Sequence, residues 1–159
     1  MKQKKTNAMR ILDRQNIQYG VNRYKVSEKH MSGEDVAASV GVDIELIYKT
    51  LVLENINHDY FVFIIPVNDS LDMKSAAQVI NEKKLHLMPL DDLKKVTGYV
   101  RGGCSPIGMK RLFPTIIDQQ AVNLNEIYVS GGERGMQINI AVKELIEATQ
   151  AKVAPVVHP

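Results

Sequence analysis

A chain of 159 residues that is 45% hydrophobic and 24% charged can bury a core without disulfide or metal staples, and one domain over residues 1–159 is expected. One cysteine excludes an intramolecular disulfide, and apolar runs such as Phe61–Val67 are far too short to span a bilayer. The basic start Met1-Lys2-Gln3-Lys4-Lys5 is followed by no apolar signal region, so a cytoplasmic protein without a membrane partner is expected.

Residues 4–16 read as a helix, with Ala8, Ile11 and Leu12 as its apolar stripe, and Ile17–Val26 as a strand. Ser32 is a good N-cap for a second helix, with Asp35 three residues on, Val36, Ala37 and Val40 inward, and Gly41 as its stop. Ile44–Glu54 and Tyr60–Pro66 are apolar strands joined by a hairpin-like loop. A helix over Asp72–Asn81 buries Ala76, Ala77, Val79 and Ile80. A short strand near Leu85–Met88 leads to a helix over Pro89–Val96, which Gly98 ends. Short strands follow at Thr115–Asp118, Ile127–Ser130 and Gln137–Ile140, then a helix over Ala141–Ala148 and a closing strand over Lys152–Val157. Strands and helices interleave irregularly, which predicts an α/β fold with a mixed, barrel-like sheet flanked by helices.

Seven of the ten glycines lie between Gly98 and Gly135. They form two elements, Gly98-Tyr99-Val100-Arg101-Gly102-Gly103-Cys104-Ser105-Pro106-Ile107-Gly108 and Ser130-Gly131-Gly132-Glu133-Arg134-Gly135. Each pairs Gly-Gly with a serine and an arginine. Glycine brings backbone N–H groups close to a ligand, so the two could line one donor-rich pocket; alone, each is equally a turn. Neither is a P-loop or a dinucleotide-binding fingerprint.

Lys49 is the other signal. It stands in Leu46-Ile47-Tyr48-Lys49-Thr50-Leu51-Val52-Leu53, where neither strand face looks solvated. It either snorkels at a sheet edge or acts as a cation that polarises a carbonyl or grips a phosphate. Cys104 lacks a base at any informative spacing, and His30, His58, His86 and His158 make no metal-ligand pattern with it, so neither a metal nor a cofactor is expected. Asp13, Asp35 and Glu45 read as structural, and Asp118 as inward-facing with no partner that the sequence identifies. Net charge is only +2, although basic residues cluster at Lys2, Lys4, Lys5, Arg10 and Arg14, at Lys83-Lys84 and Lys94-Lys95, and at Lys110-Arg111.

Taken in order, Tyr48-Lys49-Thr50-Leu51, the first glycine element, Pro114-Thr115-Ile116-Ile117-Asp118 and Ile127-Tyr128-Val129 with the second glycine element resemble the YbaK/EbsC family of aminoacyl-tRNA deacylases. That family is related to the editing domain of bacterial prolyl-tRNA synthetases, and the resemblance runs from about Lys5 to Val156. It implies trans-acting removal of cysteine from Cys-tRNA(Pro), beside prolyl-tRNA synthetase. The substrate's own thiol would cleave its ester and leave a thiolactone. Lys49 would be catalytic. Tyr24, Thr50, Gly102, Gly103, Ser105, Pro106, Ser130, Gly131, Gly132 and Gln137 would bind substrate. Two departures bear on which amino acid is removed. Lys29-His30-Met31-Ser32-Gly33 lacks a pocket phenylalanine found in some relatives, and Gln137 stands where an aspartate can occur. Two readings therefore stay beside the first: an Ala- or Ser-tRNA deacylase using water, and a non-catalytic module that binds a nucleotide or RNA end.

Overall fold

The computed structural model describes residues 5–26 and 31–159. Lys2, Lys4, Lys29 and His30, noted above, lie outside the described residues. In chain order the elements are α1 (Asn7–Arg14), β1 (Tyr19–Arg23), α2 (Gly33–Val40), β2 (Tyr48–Glu54), β3 (Tyr60–Pro66), α3 (Met73–Val79), β4 (His86–Leu87), α4 (Leu93–Thr97), β5 (Thr115–Asp118), β6 (Glu126–Ser130), β7 (Met136–Ala141), α5 (Val142–Thr149) and β8 (Lys152–Ala154).

Two sheets carry the fold. The larger has the order β4-β2-β3-β5-β8, antiparallel at β2–β3 and β2–β4 and parallel at β3–β5 and β5–β8. The smaller is antiparallel, with the order β1-β7-β6. A single bridge, Ile47 to Tyr128, links them, so the mixed sheet is divided rather than closed into a barrel among the described residues.

Alternation along the strands decides what is buried. In β6 and β7, Ile127, Val129, Ile138 and Ile140 face a core shared with Ala8 and Leu12 of α1 and Val142 and Leu145 of α5. Gln137 and Ser130 are paired across the ladder and so share the opposite face. The larger sheet is covered on both sides: Phe63 and Ile65 pack with α3's Ala76 and Ala77, while Ile64 joins the first core.

Several element ends differ from the sequence reading. Ile44–Leu46 is a 3-10 turn, because the chain must bend after α2 before it enters β2 at Tyr48. The helix expected over Pro89–Val96 begins as a 3-10 turn at Leu90–Asp92, becomes α-helical only at Leu93 and extends to Thr97. β1 is confined to Tyr19–Arg23, the residues that pair with β7. Strand β8 ends at Ala154, after its pairing with β5. The caps fall where the residues placed them. Ser32 Oγ accepts from the Asp35 N–H at 3.1 Å while Asp35 Oδ2 accepts from the Ser32 N–H at 3.0 Å, and Gly41 closes the helix at φ 81°. Asp118 is buried and has partners: Oδ1 accepts from the Val156 N–H at 3.0 Å, and Oδ2 accepts from the Gln120 N–H and side-chain amide.

Candidate functional site

The gap between the two sheets is a cavity of about 620 Å³. On the larger sheet, β4 pairs with β2 only at Leu53 and Glu54, so residues 48–51 have no strand partner on that edge. Tyr48, Lys49, Thr50 and Leu51 line the cavity from there. Ser130 and Gln137 line it from the smaller sheet, and Tyr24 and Val26 from the segment after β1. Met31, Gly33 and Val36 close an apolar side with Val67. Close packing holds this side in place, since a Cβ on Gly33 would lie 2.6 Å from Val67 Cγ1.

Lys49, Thr50 and Gln137 all line the cavity, Lys49 and Thr50 from opposite faces of β2. Lys49 is half-buried, and its ammonium has no hydrogen bond or ion pair among the described residues. Burial lowers its pKa, opposed in part by the negative charge of Asp69. Thr50 Oγ1 and Gln137 Oε1 are buried without a partner. Gln137 is only 7% exposed. Leaving such atoms unpaired costs about 1–3 kcal/mol each, a cost removed when a ligand supplies the missing hydrogen bonds. Arg101 and Arg134 also line the cavity, and no Asp or Glu does among the described residues. Tyr48 lies at the base, its hydroxyl pushed up to about 12 by burial and by Asp118 and Asp69.

Of the residues singled out from sequence, Tyr24, Lys49, Thr50, Gly102, Ser130 and Gln137 meet at this cavity. Gly103, Ser105, Pro106, Gly131 and Gly132 do not line it; they build the wall behind it. A Cβ on Gly103 would sit 2.8 Å from the Glu133 backbone, so this glycine lets one element pack against the other. Its N–H donates to Val100 O, and the Gly131 N–H donates to Met136 O. Ser105 is fully buried, with Oγ accepting from the Ile107 N–H at 3.3 Å. Gly132, at φ 110°, lies against Thr6 and Tyr99. Most of the expected donors are thus spent inside the wall. Gly135 adds a close approach that the sequence reading passed over: at φ 79° it lies beneath Tyr24 and Val26, and its carbonyl accepts from the Tyr24 N–H at 2.9 Å.

Cys104 lines the cavity, but burial pushes its thiol up to about 11, away from the thiolate that a nucleophile needs. Sequence reasoning did not place Arg101 and Arg134 at the site, although both are visible as partners of a Gly-Gly pair. The segment holding Met31 is a pocket segment only through the family resemblance, and Met31 lines the cavity.

The same fold occurs in a crystal structure described provisionally as a trans-editing enzyme for prolyl-tRNA synthetase, at a TM-score of 0.84, with 96% of each chain covered and 21% identity. The chain belongs to the aminoacyl-tRNA editing domain family, which it matches over residues 27–148. It is 42% identical over 154 residues, 97% of its length and 94% of the relative's, to Enterococcus faecalis EbsC, whose name provisionally assigns Cys-tRNA(Pro)/Cys-tRNA(Cys) deacylase activity. It is also 28% identical over 103 residues to proline–tRNA ligase of Fervidobacterium nodosum, covering 65% of this chain and 18% of that enzyme.

Proposed function

We propose that this chain is a trans-acting aminoacyl-tRNA deacylase that removes cysteine from Cys-tRNA(Pro). The observation that carries the reading is the cavity itself, which Lys49, Thr50 and Gln137 all line, with no ion pair on the Lys49 ammonium among the described residues and with Thr50 Oγ1 and Gln137 Oε1 buried without partners. An aminoacyl ester supplies what these groups lack. Its carbonyl oxygen suits the Lys49 ammonium, and its amine can donate to the orphaned acceptors.

Burial holds Cys104 as a thiol, so the reaction is assigned a nucleophile on the substrate. In the proposed reaction the substrate's side-chain thiolate attacks its own ester carbonyl. A C–S bond forms, the ester C–O bond breaks, and the terminal ribose oxygen leaves with a proton. The products are free tRNA and a four-membered thiolactone, which water later opens. Holding thiol and carbonyl of one small molecule in the reactive rotamer recovers much of the entropic part of the barrier. Lys49 stabilises the developing oxyanion where a half-buried cation is most effective. Met31, Val36, Leu51 and Val67 suit a small, weakly polar side chain.

The substrate and partner place the protein in the cytoplasm, next to prolyl-tRNA synthetase, which would select the tRNA. Among the described residues no helix is long and apolar enough to cross a membrane. The test is to incubate the purified protein with Cys-tRNA(Pro), with and without the synthetase, and to follow ester loss and the acyl product. Deacylation with thiolactone release is expected. Saturable binding of the charged tRNA without turnover would instead assign a binding module.

A further inference from the structure

The segment from Leu93 to Ile117, which lines the cavity at Arg101, Gly102 and Cys104, carries Lys94, Lys95, Arg101, Lys110 and Arg111 and not one acidic residue. The net charge is +2 over the chain; this stretch contributes +5 and residues 1–25 contribute +6, so the rest is net negative. The fold brings α4 and the segment at Lys110 together. The Lys110 N–H donates to Thr97 O at 3.1 Å, which ties the end of the loop to the end of α4. Gly98 lies beside the Lys110 side chain, with its Cβ position 3.5 Å from Lys110 Cγ. The Arg111 guanidinium lies over the Phe113 ring at 5.7 Å, and Phe113 belongs to a core cluster against which Leu93 and Val96 of α4 pack. Lys94, Lys95, Lys110 and Arg111 are all exposed. From Gly98 the loop reaches Arg101 at the cavity mouth in three residues, at most about 11 Å of chain. In sequence the segment is bounded by Asp91 and Asp92, before α4, and by the buried Asp118, while Glu133 accepts from Arg23 at 2.7 Å.

We infer that this face, Lys94, Lys95, Lys110 and Arg111 leading to Arg101, is the track for the single-stranded 3′ end of the RNA, whose phosphates lie along it while the terminal acylated nucleotide enters the cavity. The inference rests on the deacylase reading for what enters the cavity. It adds which side of the molecule the RNA approaches from. It also explains how a nearly neutral protein holds a polyanion, because a local row of cations is enough for a short single strand. Such contacts position the strand without reading its sequence.

The experiment compares wild type with a variant carrying Lys94→Ala, Lys95→Ala, Lys110→Ala and Arg111→Ala. A Lys83→Ala/Lys84→Ala variant removes a basic pair elsewhere and serves as the control. The first readout is fluorescence anisotropy of an uncharged single-stranded RNA oligonucleotide bearing the tRNA 3′ terminus, between 50 and 200 mM salt. If all four cations engage phosphates, at about 0.7 of log–log slope each, wild-type affinity falls about 50-fold over that range. The fourfold variant is expected to lose most of that salt dependence and to bind at least tenfold more weakly at 50 mM, while the control matches wild type. The second readout is deacylation of Cys-tRNA(Pro) against cysteinyl-adenosine, which lacks the upstream phosphates. KM should rise for the tRNA ester alone.

Unchanged RNA affinity and salt slope in the fourfold variant would overturn the inference. So would an equal loss in the Lys83/Lys84 control, or an effect that appears only when the synthetase is present, which would make the face a protein-docking surface. Because the RNA measurement needs no turnover, an inactive wild type would remove the deacylase reading and still leave the RNA track to be decided by its own result.

Discussion

The cavity's two walls are built by opposite means. The β2 edge presents chemistry: Lys49 and Thr50 project from a strand whose neighbour stops short, and their polar groups are left unsatisfied. The glycine wall presents mainly shape. Gly103, Gly131 and Gly132 approach other protein atoms closely, and the N–H groups of Gly103 and Gly131 already have backbone acceptors. The contrast teaches that a glycine-rich segment beside a site can be rich in glycine for the sake of its own packing. The residues free to meet a ligand are those whose partners the fold withholds.

The largest expected effect comes from breaking the chemical wall. Lys49→Ala should lower kcat for the ester about 10²–10³-fold, the usual cost of losing one donor to a developing oxyanion. Its unfolding midpoint in urea should stay at or above that of wild type, because no internal partner of the ammonium is lost.

Breaking the packing wall should give the reverse pattern. Gly103→Ala would place a methyl 2.8 Å from the Glu133 backbone, which has no flexible side chain to yield. A loss of about 1–3 kcal/mol in urea unfolding is expected, as for overpacking elsewhere. Gly102→Ala, at φ 81° and 3.4 Å from the flexible Arg134 Cγ, should cost nearer 1 kcal/mol, from backbone strain alone.

The fold was legible in the sequence wherever local chemistry decided it. Ser32, Asp35 and Gly41 bounded α2, and the apolar runs marked β2 and β3. Its division into two sheets was not legible, because that depends on which strand β7 pairs with and on a single bridge at Ile47. Lys49 announced itself by standing in an apolar strand. Arg101 and Arg134 came to the cavity only through the close packing of the two glycine elements, a contact between residues some 30 positions apart. Gly103, Ser105, Pro106, Gly131 and Gly132 were read as ligand contacts because glycine's two uses, approaching a ligand and approaching the protein, look alike in sequence.

The pH profile sharpens the same contrast. Burial lowers the Lys49 pKa, so the charged form that the proposed reaction needs is lost at a lower pH than for a free lysine, near 10.4. The alkaline fall in kcat should therefore begin below that value, and Lys49→Arg should remove it. On the acid side the rate should climb as the substrate thiol, near 8.5 when free, ionises. An alanyl ester should show no such rise.

Smaller effects belong to Gln137 and Cys104. Gln137→Glu places a carboxylate among the cations and should lower KM for a free-amine aminoacyl ester about fivefold, on the difference between neutral and charge-assisted hydrogen bonds. An N-acetylated ester should gain nothing, which separates amine recognition from a general change in the cavity. Cys104→Ser should leave kcat within about twofold of wild type. Alkylation of Cys104 at pH 8 should be far slower than that of free cysteine, in keeping with a thiol pushed up to about 11.

The most direct test is single-turnover deacylation of Cys-, Ala- and Ser-tRNA(Pro) side by side, by wild type and by Lys49→Ala, with the synthetase present and absent. The predicted result is fastest loss of the cysteinyl ester, with a thiolactone product, and collapse of that rate in the lysine variant. No deacylation of any of the three by wild type, or a wild-type rate in Lys49→Ala, would contradict the account.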